Sequence, residues 1–310
     1  MHLVVAAAGV VATGGLWALD RVANAVVRPV PRQPDVTVPE LGIRHEDLTI
    51  PAGGHDLLGW LLCPGDAGDR PLVMLAHGWG ANYGTLLQLA EPLVVAGYPV
   101  LLFDVQGHGR NDPAPYVTVR HFRDDVMAAV RFASGRFPRR KRVLVGHSLG
   151  GAAAVLAAAA GADVSGIALV AAPANVLEVT ADYLRERRLP GGFMVVALRP
   201  FWWARIGGTF RHLIPERKIA AVRQPILLIH PENDRRVGLD HARRLEAASG
   251  VPLHVIPGAG HTNVLGHAET HGRLLAFLEE VRAGAWGEGR ESPVSLTGSP
   301  APVRSPTTPR

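Results

Sequence analysis

Gly146-His147-Ser148-Leu149-Gly150-Gly151 follows the apolar run Val143-Leu144-Val145 and precedes the alanine-rich segment AAAVLAAAA. A serine so placed sits on a tight strand-to-helix turn, the G-x-S-x-G pattern in the context it requires. The glycines permit close backbone approach that a Cβ would block, leaving the serine side chain exposed at the end of a strand. The helix that follows aims its first amides at the hydroxyl and favours negative charge there. A serine hydroxyl is a weak nucleophile near neutral pH, so it needs a histidine to take its proton and an acid to hold that histidine in one tautomer. Asp234, in HPENDRRV after the run ILLI, and His261, in GAGHTN after LHVI, meet both needs and follow the serine in the order acid, base.

Other residues compete for these roles on weaker grounds. His254 lies inside a strand run, and His147 is expected to be turned aside by the elbow itself. Glu232 stands closer to its strand, and Asp240 falls on the next helix. Asp104, which ends the run VLLF, is the alternative acid, and its other reading is a carboxylate that organises a loop through backbone N–H groups. Acyl transfer also needs donors for a tetrahedral oxyanion. The backbone N–H of Leu149 supplies one by position, and the N–H of Trp79, in His77-Gly78-Trp79-Gly80, is the candidate second. The Trp79 indole is read as pocket wall, and His77 as a structural hydrogen-bonding residue.

The elements that must position these groups are legible as short apolar runs: 71–78, 100–104, 142–148, 166–172, 226–231 and 253–258. Helix-like segments separate them, the pattern of a mainly parallel sheet covered on both faces, with ligands bound at the carboxyl ends of the strands. Before them, EDLTI and LLGWLLC flank Pro51-Ala-Gly-Gly54 and read as an antiparallel hairpin. The stretch from about 173 to 224 is too long for a simple crossover and reads as a helical lid.

The chain has 310 residues, enough for one large α/β core, and its domains are read as follows. Residues 1–20 form a hydrophobic anchor or signal segment, 21–43 a Pro-rich linker, 44–285 the catalytic domain, and 286–310 a disordered tail rich in Pro, Ser, Thr and Gly. Leu3 to Leu19 carries no charge, and about 17 apolar residues is the lower limit for a membrane span. Arg21, Arg28 and Arg32 follow it, so the positive-inside bias places the catalytic domain in the cytoplasm of an anchored protein. The alternative is export after cleavage near Ala23-Asn24-Ala25, and a buried helix is the third reading.

The motifs HGWGAN, GYPVLLFDVQGHG, GHSLGG, HPENDRRV and GAGH together resemble the α/β-hydrolase superfamily, particularly its lysophospholipase-like and membrane-anchored esterase branches. The resemblance runs from about Arg44 to Val281 and implies an α/β-hydrolase fold: a mainly parallel central sheet, helices on both faces, and a helical lid insertion. It implies carboxylic ester hydrolysis through an acyl-enzyme on Ser148, Asp234 and His261, with acyltransferase or serine peptidase chemistry as alternatives on the same triad. A non-catalytic scaffold keeping the fold is the alternative of another class. Such relatives commonly carry Arg where this chain has Gln106 and Ser where it has Asn111.

No cofactor or metal is expected. Cys63 is the single cysteine, His267 and His271 lack the glutamate spacing of a zinc helix, and Gly107-His108-Gly109 completes no dinucleotide fingerprint. The net charge of +5 comes from scattered arginines, which argues against nucleic acid as a partner, and no obligate protein partner is evident. The expected partner is a small-molecule ester or lipid. Between Asp182 and Arg223, nine basic residues face three acidic ones around Phe201-Trp202-Trp203, a composition suited to an anionic membrane surface. The alternative is that the arginines are solvated and the aromatics are buried over the pocket.

Overall fold

Parallel strands covered on both faces cannot alternate apolar and polar residues, and the five central parallel strands of this protein are buried throughout. The computed structural model describes residues 2–63 and 67–284, with side chains in the N-terminal helix from residue 14 onward. The expected tail at 286–310 lies outside the described residues. The strands are β1 (His45–Pro51), β2 (Asp56–Leu62), β3 (Leu72–Ala76), β4 (Val100–Phe103), β5 (Arg142–His147), β6 (Gly166–Val170), β7 (Ile226–Pro231) and β8 (Leu253–Ile256). They form one eight-stranded sheet in the order β1-β2-β4-β3-β5-β6-β7-β8. β2 pairs antiparallel with β1 and β4, and every other pairing is parallel.

The helices are α1 (His2–Val27), α2 (Leu87–Val95), α3 (Val119–Arg136), α4 (Leu149–Ala159), α5 (Val176–Glu186), α6 (Gly191–Ile206), α7 (Leu239–Ser249) and α8 (Ala268–Ala283). Side chains alternate across the sheet, so Leu72, Met74 and Ala76 join one core layer while Val73 and Leu75 join the other. The first layer is closed by α3, α4 and α7, through residues such as Phe122, Val155 and Leu245. The second is closed by α2 and α8, through Leu89, Leu274 and Phe277. The fold is that of an α/β-hydrolase, and the expected antiparallel hairpin, β1 and β2, lies at one edge of the sheet.

Between β6 and β7 the chain leaves the sheet to form α5, α6 and three short 3-10 turns, the helical segment expected there. The Asn175 side chain caps α5 by accepting the Leu177 amide at 3.1 Å, and Gly207, at φ 61°, ends α6 in the left-handed conformation.

The region read as a linker from residue 21 is corrected by the structure. α1 continues to Val27, because Arg21–Val27 contains no helix breaker and the first obstacle is Pro29, which disfavours a helical Arg28. The segment beyond is a packed strap. Asn82 Nδ2 donates to the Arg32 carbonyl at 2.9 Å, Pro34 lies against Gly84, and Val38 is buried in the second core layer. The end of α1 docks on α6: the Trp202 indole N–H donates to the Ala23 carbonyl at 2.9 Å, and Arg205 pairs with Asp20 at 2.8 Å. The Val117 amide donates to the Val27 carbonyl at 2.7 Å, fixing the last turn over the body. Among the described residues no helix is long and apolar enough to cross a membrane, and the side chains of residues 1–13, where most of the expected anchor falls, lie outside the description.

Trp202→Phe keeps the ring packing and deletes one buried donor. The expected loss is about 1 kcal/mol, seen as a fall of about 2–4 °C in the thermal midpoint of the full chain. An unchanged midpoint would mean that α1 does not stay docked on α6.

Candidate active site

Ser148 occupies the turn between β5 and α4 with φ 54° and ψ −122°, a conformation that side chains other than glycine rarely adopt. Three features hold it there. The Ser148 amide donates to the Val170 carbonyl at 2.9 Å, tying the turn to β6. A Cβ on Gly146 would run into the Gly150 backbone, and one on Gly150 would meet the carbonyl oxygens of Ala76 and His77. The glycines are thus required by close approach of β5, α4 and the loop after β3.

That loop carries the first of the two candidate oxyanion donors. His77 is fully buried; the Val105 amide donates to its Nε2 at 3.0 Å, so the proton sits on Nδ1 and is donated to the Gly78 carbonyl at 2.8 Å. Burial, with the neighbouring His108 adding to it, pushes the His77 pKa down to about 3, and the ring is neutral. The loop is pressed on the nucleophile so closely that a Cβ on Gly78 would stand 2.9 Å from Ser148 Cβ. Among the described residues neither the Trp79 amide nor the Leu149 amide, first in α4, is taken up by a protein acceptor.

The candidate acid and base, Asp234 and His261, come from the loops after β7 and β8. The Asn233 amide donates to the Ala259 carbonyl at 2.8 Å and the Glu232 amide to the Ile256 carbonyl at 3.0 Å, so the two loops run side by side. Asp234 Oδ1 accepts the amides of Arg236 and Val237 at 2.8 and 2.9 Å, which aims Oδ2 at His261 Nδ1, 2.7 Å away. Burial opposes ionisation of the Asp234 carboxyl, but the hydrogen bond from His261 and the two amides outweigh it and hold its pKa below the ordinary value. Among the described residues His261 Nε2 has no hydrogen-bond partner. The hydrogen bonds among the described residues do not include one from Ser148 Oγ to that nitrogen, a contact that often tightens only with substrate bound.

One residue here has a contact that the sequence did not announce. His147 is turned away from the nucleophile, yet it reaches across to donate from Nε2 to the His261 carbonyl at 2.8 Å, with the two rings 4.9 Å apart. Burial, reinforced by the neighbouring His261, pushes its pKa down to about 3, so it acts as a neutral strut between elbow and base loop. Only its place beside the serine could have signalled this, because the partner is 114 positions away.

The alternative acid, Asp104, is far from this role. It is fully buried, accepts the amides of Tyr83 and Arg110 at 2.7 and 3.1 Å, and lies 3.8 Å from His77 rather than beside His261. Burial pushes its carboxyl up to about 7 against the pull of those amides. Gln106 and Asn111 serve the same loop: Gln106 donates from its amide and side chain to Asp125, and Asn111 links the Leu58 amide to the Asp104 carbonyl. His267 caps α8, and His271 bonds the Leu265 carbonyl.

Ser148 and Leu149 form part of the lining of a cavity of about 190 Å³. Its other walls include Trp79, Leu177, Trp202 and Phe210, with Val26 and Val27 from the end of α1, and no charged side chain among the described residues lines it. Trp202 is buried on this wall while its neighbour Trp203 faces outward.

Residues 68–190 match the model of a family described as serine aminopeptidase, S33. A pimeloyl-[acyl-carrier protein] methyl ester esterase of Chromobacterium violaceum is 35% identical over 255 residues, covering 70% of this chain and 97% of that one. A monoacylglycerol lipase of Mycolicibacterium smegmatis is 27% identical over 238 residues, 63% of this chain and 82% of its own. Among solved structures, the Pyrococcus furiosus esterase Pf2001 superposes with a TM-score of 0.64 at 19% identity, covering 82% of this chain and 97% of that one.

Because the folded Asp234 pKa lies below its unfolded value, the pair adds stability that is present above about pH 3.9, the ordinary carboxylate value, and lost as pH falls through the folded one. Urea midpoints measured from about pH 6 to about pH 3 should fall more steeply for the parent than for Asp234→Asn. Parallel curves would show that the pair is not formed in solution.

Proposed function

The chain is a hydrolase that belongs to the α/β-hydrolase superfamily, and we propose that it cleaves carboxylic esters through an acyl-enzyme on Ser148. The observation that carries this reading is the Asp234–His261 pair, tethered through His147 to the strained turn that presents Ser148 at an apolar cavity. In the proposed reaction Ser148 Oγ attacks the ester carbonyl as His261 Nε2 takes its proton, and Asp234 keeps His261 in the Nδ1–H tautomer and stabilises its cation. The amides of Trp79 and Leu149 receive the oxyanion. His261 then protonates the departing alcohol, and water, activated by the same nitrogen, releases the acid.

The cavity favours an ester with an apolar acyl group over a peptide. An aminopeptidase must hold a substrate ammonium, which calls for a carboxylate, and none lines the cavity among the described residues. The C. violaceum and M. smegmatis relatives are named for a methyl ester and a monoacylglycerol, which supports ester chemistry here.

A fluorophosphonate probe should label the purified protein and fail to label Ser148→Ala. With p-nitrophenyl esters, kcat/KM should rise by roughly fourfold per added methylene until the cavity is full, the equivalent of about 0.8 kcal/mol each. No labelling of folded parent protein would remove the serine mechanism, and a flat chain-length profile would remove the acyl assignment of the cavity.

His147→Ala should lower kcat by roughly 10-fold or more through misplacement of the base, with KM little changed and probe labelling slowed in proportion. His147→Gln, which keeps a donor, should recover part of the loss. Equal activity of the Ala and Gln variants would assign His147 to packing alone.

A further inference from the structure

α6 is apolar on both sides, and only one side is covered. Val195, Leu198, Trp202 and Ile206 face inward against α1, α5 and the cavity. On the opposite side Phe193, Val196 and Trp203, spaced at helical intervals with Pro200, are exposed by 72%, 64% and 56%. A helix that is hydrophobic all round is normally buried, so this face needs something to cover it. α1, packed against α6, adds exposed Leu16 and Trp17.

The charges nearby say what the cover is. Arg21 lies by the Trp17 ring at 5.3 Å, Arg187 over Tyr183 at 3.5 Å, and Arg199 projects from α6 beside Phe210 at 5.6 Å. Together with Arg188, these residues have no carboxylate partner among the described residues, whereas Arg185 and Arg205 are paired with Asp182 and Asp20. Glu186 is the one acid of α5 and α6 that is not in such a pair. Apolar side chains ringed by free guanidinium groups complement an anionic bilayer surface. A second copy of the chain would set the same arginines against one another across a twofold axis. The uncharged sequence from Leu3 to Leu19, which forms most of α1, points to the same occupant.

We propose that the outer face of α6, with the adjoining part of α1, is a docking surface for an anionic lipid membrane. The surface goes beyond the ester chemistry and does not depend on Ser148. Its consequence for that chemistry follows from adjacent residues: Trp203 meets the lipid while Trp202 lines the cavity, so an amphiphile enters from the bilayer across a single helix.

The test uses the full chain with Cys63→Ser and one introduced cysteine bearing an environment-sensitive nitrobenzoxadiazole dye. Val196→Cys reports on the face, and Val95→Cys, at an exposed position of α2, is the control. Vesicles contain equal parts of phosphatidylcholine and phosphatidylglycerol, or phosphatidylcholine alone, with brominated acyl chains as quenchers. The dye at 196 should shift to the blue and be quenched by brominated lipid while the dye at 95 is not, with partitioning roughly tenfold or more stronger on the anionic vesicles. A dye at 196 that stays in water while the protein sediments with vesicles would overturn the proposal, as would its burial in a concentration-dependent dimer without lipid. Equal partitioning to both vesicle types would overturn the role of the arginines. Repeating the measurement with Ser148→Ala separates the two readings, because docking should persist when hydrolysis is lost.

Discussion

The backbone of Ser148 is the constraint around which the rest is arranged. A non-glycine residue at φ 54° costs about 1–3 kcal/mol, and it persists only where the surroundings leave no alternative. Here β5, α4 and the loop after β3 meet with no room for a Cβ at Gly146 or Gly150. The glycines of α4 and all its alanines except Ala159 are buried against the sheet and its neighbour α3, so the helix lies close enough for its N-terminus to sit under the serine. The small residues that make α4 look featureless in sequence are therefore what lets the turn be strained.

Strain at one residue is useful only if the groups around it are equally fixed, and neutral buried histidines do much of the fixing. His77 locks the loop after β3 by accepting one backbone amide and donating to one carbonyl. His147 holds the base loop by a single bond, donating from Nε2 to the His261 carbonyl. Both have pKa values pushed down to about 3, so neither becomes a charge near the site in the neutral range. A charged ring at either place would oppose the positive charge that His261 carries in the proposed proton transfer. Asp234 is aimed by two amides of its own loop, which leaves one carboxylate oxygen for the base.

The parts legible in the sequence were those set by local physics. Fully apolar runs announce two-sided burial, and the runs read from 71 to 258 coincide with β3 to β8. Asp234 and His261 could be singled out because each follows a strand on the catalytic edge, and the structure brings them to 2.7 Å. The parts that were not legible depend on contacts between distant segments. Nothing in RVANAVV signals that Ala23 accepts a hydrogen bond from Trp202, 179 positions away, or that Val27 holds Val117. The proline content of the following segment suggested a free linker, but prolines also suit an extended strap that packs without needing partners for missing N–H groups.

That misreading bears on how the cavity is built. In the sheet, walls come from elements a few residues from the catalytic groups, and their geometry is inherited from the strands. The wall made by Val26 and Val27 has no such inheritance; it exists because Asp20, Ala23 and Val27 are each held by a residue of the body or of α6. Adjoining walls come from α5 and α6, which pack chiefly on each other and on α1. The apolar site is thus bounded on one side by rigid strand ends and on the other by helices that hold one another. The linkage of α1 to α6 thus makes an N-terminal segment more than 120 residues before Ser148 part of the wall of the cavity that Ser148 lines.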